Sequence, residues 1–183
     1  MTFKKKNILK ITSLVSLSII VFGSIVYSTF RPENKSTKNK VLIVEDTVKP
    51  IKMRDNIVNF GMELLGTPYV EASSSRDGFD CSGFVYYVFR QHKITVPRSS
   101  SLFKNFGKEI PIENVKKGDI LLFLSPSRNV IGHIGIVTNP NGKHSDFIHA
   151  SSGREMKVII SSLKQEGYTR RFVKAIDVLS TYR

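Results

Sequence analysis

Apolar and polar positions divide the 183-residue chain into stretches of different character. Residues 11–30 carry no charge and follow a basic run holding Lys4, Lys5, Lys6 and Lys10. As a helix, such a stretch spans roughly 30 Å, the thickness of a bilayer core. Residues 31–51 are mostly polar and predict a flexible linker. Within them, Val41-Leu42-Ile43-Val44 fits a short strand or docking segment, and Lys49-Pro50 closes the linker. From 53 to 65, Ile57, Val58, Phe60, Leu64 and Leu65 fall near helical spacing, with Gly66 where a C-cap belongs. A second helix begins at Cys81 and runs to about Gln91, with Phe84, Val85, Val88 and Phe89 on one apolar face. Pro97 opens a short helical piece toward Phe106.

Beyond Lys117-Gly118 the period changes from helical to short apolar runs separated by turn residues. The runs are Ile120 to Phe123, Gly132 to Thr138, Asp146 to Ala150, Lys157 to Ile160 and Phe172 to Val178. They predict about five strands in an antiparallel meander. Helices first and strands afterward predict an α+β domain over residues 52–183.

Composition adds a location. Apolar residues make up 40 % of the chain, with 12 Phe, 6 Tyr and no Trp, enough for one core. The formal net charge is +13, of which nine charges remain on residues 31–183. That balance attracts polyanions, whether nucleic acid, anionic lipid or cell-wall polymer. Lys and Arg are scattered rather than striped and no nucleic-acid-binding motif is present, so no nucleic acid is expected as partner. Residues 1–30 read as a signal-anchor helix, with its Lys cluster held in the cytoplasm, or as a cleaved signal peptide. The want of a clear Ala-x-Ala site favours the anchor. Either reading exports the rest to the cell envelope, membrane-anchored and facing outward, or periplasmic or secreted after cleavage.

The single cysteine, Cys81, excludes an internal disulfide. In an exported chain it points to a reactive thiol or an intermolecular bridge, although a lone Cys is also an ordinary small buried hydrophobe. Its place at a helix N-terminus, after the loop Ser73 to Gly78, predicts easier ionisation to thiolate. His133 and His149 fall inside successive strands. They are 16 residues apart, and a hairpin of that length can set them side by side, with His133 as proton acceptor for the thiol and His149 orienting its second nitrogen. Each His alone could equally be a structural histidine. His92 and His144 lie in polar surroundings and are read as surface residues. A zinc site of Cys81, His133 and His149 lacks supporting ligand spacing, so no metal is expected.

Six segments now stand in order: Gly66-Thr67-Pro68-Tyr69, Gly78-Phe79-Asp80-Cys81-Ser82-Gly83-Phe84-Val85, Pro97-Arg98, Gly118-Asp119-Ile120-Leu121-Leu122-Phe123, Gly132-His133-Ile134-Gly135-Ile136-Val137 and Phe147-Ile148-His149-Ala150. Together they resemble the NlpC-type cysteine peptidases of bacterial cell walls, over about residues 53–178. The resemblance implies a papain-like α+β fold, with Cys81 as nucleophile, His133 as base and His149 as third polar member. It also implies cleavage of peptidoglycan stem peptides, typically between D-glutamate and the diamino acid, without a cofactor and as a monomer. Tyr69 matches the tyrosine that helps bind the oxyanion. Asp80, Ser82 and Arg98 match positions beside the substrate. Many family members carry an aromatic residue and then Gly-Gly after that tyrosine, where this chain reads Val70-Glu71-Ala72-Ser73. Glu71 therefore enters the substrate subsite of this chain. An amidase or acyltransferase on the same scaffold, and an inactive wall-binding module, are the alternatives.

Overall fold

The computed structural model describes residues 51–180 and 182. The expected export segment 1–30 and residues 31–50 of the expected linker, Val41-Leu42-Ile43-Val44 included, lie outside the described residues. Residues 51–62 are helical (α1), so Ile51 belongs to the helix rather than to the linker. Its inner face is Ile57 and Val58, with Leu64 in the following turn, all buried. Leu65 is exposed, because the helix has already ended by that residue. Gly66 follows at φ +82°, and its N–H donates to the Val158 carbonyl at 2.9 Å.

A small hairpin, β1 (Ser74–Ser75) with β2 (Gly78–Phe79), leads into α2 (Cys81–Gln91). Asp80 caps that helix, its carboxylate accepting from the Gly83 N–H at 2.6 Å. Phe84, Val85, Val88 and Phe89 are the buried face, as the spacing requires. The run after Pro97 is a 3-10 helix, Ser100–Asn105, which buries Phe103.

One six-stranded antiparallel sheet follows: β3 (Lys108–Ile110), β4 (Ile120–Leu124), β5 (Ile131–Asn139), β6 (Asp146–Ser151), β7 (Lys157–Ser162) and β8 (Phe172–Asp177). Their order is β3-β8-β4-β5-β6-β7. Thus β4 to β7 form the expected meander, β8 returns to the free side of β4, and β3 adds a strand at the edge. The sequence gives no sign of β3, since Lys108-Glu109-Ile110 is short, polar and mostly exposed.

Side chains alternate faces along a strand, and the sheet has a core on each side. Ile120, Leu122, Ile134, Ile136, Ile148 and Ala150 point toward α1 and α2. Leu121, Phe123, Val137, Phe147 and Ala175 point the other way and meet Leu163, Phe172 and Tyr168. Tyr168 comes from a single helical turn, α3 (Glu166–Thr169). Phe79, Phe84, Phe89, Phe103, Phe123 and Phe147 are fully buried; each such side chain contributes about 1.5–3 kcal/mol of transfer free energy.

Arg54 ties α1 to one end of the sheet. Its guanidinium lies 2.6 Å from Asp119 and 2.9 Å from Asp177, and also donates to the Lys117 carbonyl. Asp119 is wholly buried, and burial pushes its carboxyl up to about 6 despite the facing Arg54. Among the described residues, no helix is long and apolar enough to cross a membrane.

Candidate active site

The first residue of α2 is Cys81, which is half-buried. Its Sγ lies 3.7 Å from the Gly132 carbonyl, which accepts the weak S–H bond. The thiol therefore meets the sheet one residue before His133, at the start of β5. Gly83 allows this arrangement: a Cβ there would sit 2.0 Å from the Ser73 carbonyl oxygen. Ser73, Asp80, Ser82 and Arg98 close around that point. Arg98 grips Asp80 through both oxygens, at 2.9 and 2.7 Å, and donates to Ser82 Oγ and the Ser73 carbonyl. In the resting structure, three residues expected beside substrate (Asp80, Ser82 and Arg98) thus brace the helix start against the preceding loop.

The thiol departs from its expected acidity. The N–H groups of Ser82 and Cys81, and the charge of Arg98, favour the anion. Burial outweighs them, with Asp80 adding to it, and pushes the thiol up to about 11. The helix N-terminus does not by itself make a thiolate here, because the same packing that aims the thiol at the sheet removes its water.

His133 and His149 stand on the sheet face opposite α2. His133 pairs across strands with Phe123, and β6 carries Phe147 and His149 on the same side. His133 Nε2 and His149 Nδ1 are 3.0 Å apart. His149 is fully buried and His133 nearly so. Burial lowers both imidazoles, His133 well below its ordinary value and His149 to about 4, and the charge of Arg171 lowers them further. Both rings are therefore neutral at neutral pH. Gly135 makes room for the Phe147 ring and the base of the His149 side chain, since a Cβ there would lie 2.5 Å from Phe147 Cδ2 and 3.3 Å from His149 Cβ.

Tyr69 is half-buried, packs on the same core as Cys81 and lies beside the Ser152 side chain. Burial raises its hydroxyl, the Asp80 and Glu71 carboxylates add to the shift, and so would Cys81 once ionised, so Tyr69 stays a donor. Glu71 is exposed on the adjoining turn. The next residue, Ala72, has φ +59°, the left-handed conformation that glycine adopts without strain. The turn thus keeps its shape although the expected glycine is gone.

Two partners of His149 escaped the sequence reading. Its Nε2 lies 3.0 Å from Ser161 Oγ and 3.2 Å from the Tyr168 hydroxyl. The one available signal was Ser161 on the same face of β7 as the residue paired with His149; nothing local marked Tyr168. Of the other histidines, His92 is half-buried against Phe60 and Val88, and His144 is exposed. Among the described residues, no cluster of three or more His, Cys, Asp or Glu is arranged to hold a metal.

Several known proteins are similar to this chain in sequence or in fold. A γ-D-glutamyl-L-lysine dipeptidyl-peptidase of Bacillus cereus is 32 % identical over 127 residues, 69 % of this chain and 37 % of that protein. The murein DD-endopeptidase MepS/murein LD-carboxypeptidase of Escherichia coli is 33 % identical over 137 residues, 74 % of this chain and 69 % of that protein. This chain thus spans little more than a third of one relative and about two thirds of the other. The crystal structure of an NlpC/P60 family protein from Bacillus cereus superposes with a TM-score of 0.62 at 31 % identity, over 69 % of this chain and 40 % of that one. The crystal structure of the NlpC/p60 domain of the peptidoglycan hydrolase SagA gives 0.56 at 27 % identity, covering 68 % and 97 %. The family model described as NlpC/P60 matches residues 66–177, from the turn before Tyr69 to the end of β8, and the chain belongs to that family.

Proposed function

We propose that this protein is a cysteine peptidase that hydrolyses amide bonds in peptidoglycan stem peptides, at the bond between D-glutamate and the diamino acid. The observation that carries the reading is the meeting of a helix-borne thiol with the start of β5, where the next residue, His133, is held by His149 at 3.0 Å. The names of the relatives supply the substrate class: one acts on γ-D-glutamyl-L-lysine and another on murein.

Cys81 is the nucleophile and His133 the base. The resting pair is a neutral thiol and a neutral imidazole, so the thiol is not a standing anion. Its proton leaves the Gly132 carbonyl and passes to His133 as sulfur attacks the substrate carbonyl. The developing oxyanion takes the Tyr69 hydroxyl and the Cys81 backbone N–H as donors. His133 then protonates the leaving amine, and water attacking the acyl-enzyme returns Cys81. Asp80, Ser82 and Arg98 border the substrate's amino end, and Glu71 adds a carboxylate on the turn above Tyr69.

The domain works in the cell envelope as a monomer. Residues 1–30 export it and hold it to the membrane unless cleaved, and residues 31–50 tether it. A coil of that length reaches about 25 Å.

Digesting purified sacculi and weighing the fragments identifies the cut bond. Fragments ending in D-glutamate are expected from the wild-type chain and none from Cys81→Ala. Equal release by Cys81→Ala would remove Cys81 as nucleophile. Products carrying an added amine in place of water would make the protein an acyltransferase.

A further inference from the structure

Beyond the Cys81–His133 pair lies a buried polar chain that ends at two hydroxyls. We propose that Ser161 and Tyr168 are positioning residues that fix the tautomer of His149, and through it leave His133 able to take a proton from Cys81. The second half of that statement rests on the nucleophile–base reading above; the first half does not.

A neutral imidazole has one N–H and one lone pair. His133 Nε2 faces His149 Nδ1, so only His133 Nδ1 remains for the thiol proton. Two protonation patterns satisfy the pair. In one, His133 Nε2–H donates to His149 Nδ1, His149 carries its proton on Nε2, and His133 Nδ1 is a bare lone pair. In the other, His149 Nδ1–H donates to His133 Nε2. The proton of His133 then sits on Nδ1, and the ring has no lone pair for the thiol. The far side of His149 chooses between them.

There, Ser161 Oγ at 3.0 Å and the Tyr168 oxygen at 3.2 Å converge on one nitrogen, Nε2. As an acceptor, Nε2 has a single lone pair and serves one hydroxyl well. As a donor, it shares one N–H between two oxygens, each of which keeps its own proton for another bond. The second arrangement uses both contacts, and it is the one that leaves His133 bare at Nδ1. Which nitrogen of a histidine is protonated follows from the bond made by the other. Burial supports the reading by keeping both rings uncharged, and Arg171, 5.2 Å over the Tyr168 ring, opposes any charging of the pair. Ser161 is buried in β7 and Tyr168 sits on α3, so two separate elements fix the one nitrogen.

The direct test is the imidazole 15N spectrum of the full chain at neutral pH. The wild-type protein is expected to show a protonated Nε2 and a bare Nδ1 at both His149 and His133. A proton on His149 Nδ1 would overturn the proposal without any variant having to fold. The double variant Ser161→Ala/Tyr168→Phe is expected to move the His149 proton toward Nδ1 and to lower kcat roughly tenfold or more at unchanged KM, as a wrong tautomer does in better-known triads. Ser161→Thr keeps a hydroxyl and is expected to restore both the spectrum and the rate. Wild-type tautomer in the double variant would exclude Ser161 and Tyr168 from this role. A shifted tautomer with undiminished kcat would leave the tautomer assignment standing and overturn His133 as the base.

Discussion

The two faces of the central sheet are built from different materials. The face toward α1 and α2 is aliphatic and phenylalanine-rich, and its strand residues are Ile120, Leu122, Ile134, Ile136, Ile148 and Ala150. The opposite face carries Phe123, Phe147, His133 and His149, with Tyr168 closing over them. The first face supports the thiol and the second holds the imidazoles; they meet at Gly132, at the beginning of β5. The difference teaches how each group is tuned. On the helix side, backbone N–H groups, Arg98, Asp80 and lost water compete over a half-buried sulfur. On the far side burial alone nearly decides, and both rings stay neutral.

The sharpest way to break this comparison is to empty the far face of His133, the proposed base. His133→Ala is expected to lower kcat by roughly 10²–10⁴ while the helix-side core, to which His133 makes no contribution, keeps the domain folded. A rate within tenfold of wild type would move the base elsewhere.

Acid gives the next largest effect. The folded state holds His149 at about 4 against an ordinary 6.5. Unfolded chains therefore bind the extra proton first, so this contribution is full above pH 6.5 and is lost as pH falls toward 4. It amounts to about 3 kcal/mol. Denaturant midpoints of the wild-type chain and His149→Gln, compared at pH 7 and pH 4, isolate it. His133, lowered likewise, and Asp119, raised to about 6 and acting with the opposite sign, are present in both proteins. An identical acid loss in the variant would show that His149 is not the group refusing the proton.

Gly135→Ala probes the packing of Phe147 and of the backbone that carries His149. The added methyl meets Phe147 and His149, and a loss of about 1–3 kcal/mol in stability is expected. With it, kcat should fall by up to about 10²-fold through misplacement of the His149 ring. Steady-state kinetics and a thermal melt measure both. An unperturbed rate would mean that the ring position tolerates the shift.

The smallest effect lies on the helix side, at the turn bearing Glu71. Ala72→Gly removes left-handed strain of about 1–2 kcal/mol and adds unfolded-state freedom worth about 0.4–1 kcal/mol, leaving a net gain near 0.5 kcal/mol. The denaturation midpoint should rise with no change in kcat. A loss of stability would show that the methyl group of Ala72 contributes packing.

Much of this was legible before any fold was known. The buried face of α2, the strands β4 to β8 and their antiparallel sense followed from periods of 3.6 and 2 and from the turn residues between them. Cys81, His133 and His149 also stood out, because rare polar residues inside apolar runs are conspicuous. β3 was not legible, being a three-residue edge strand specified by pairing with β8 rather than by its own pattern. The starts of elements also slipped by a few residues, as at Ile51. Tyr168 could not be found because its meaning is a contact across 19 positions with His149, made by one turn of helix.

Local order along the chain determined the elements, and with them the helix terminus that carries the thiol and the strands that carry the two histidines. Alternation along β5 and β6 puts both imidazoles on one face, so their pairing was implicit as well. Only the tertiary structure decided which face that was, how the thiol reaches it past Gly132, and how acidic the thiol is. Acidity depends on the water excluded by every neighbour at once, and the sequence names the neighbours of a residue along the chain but not those across space.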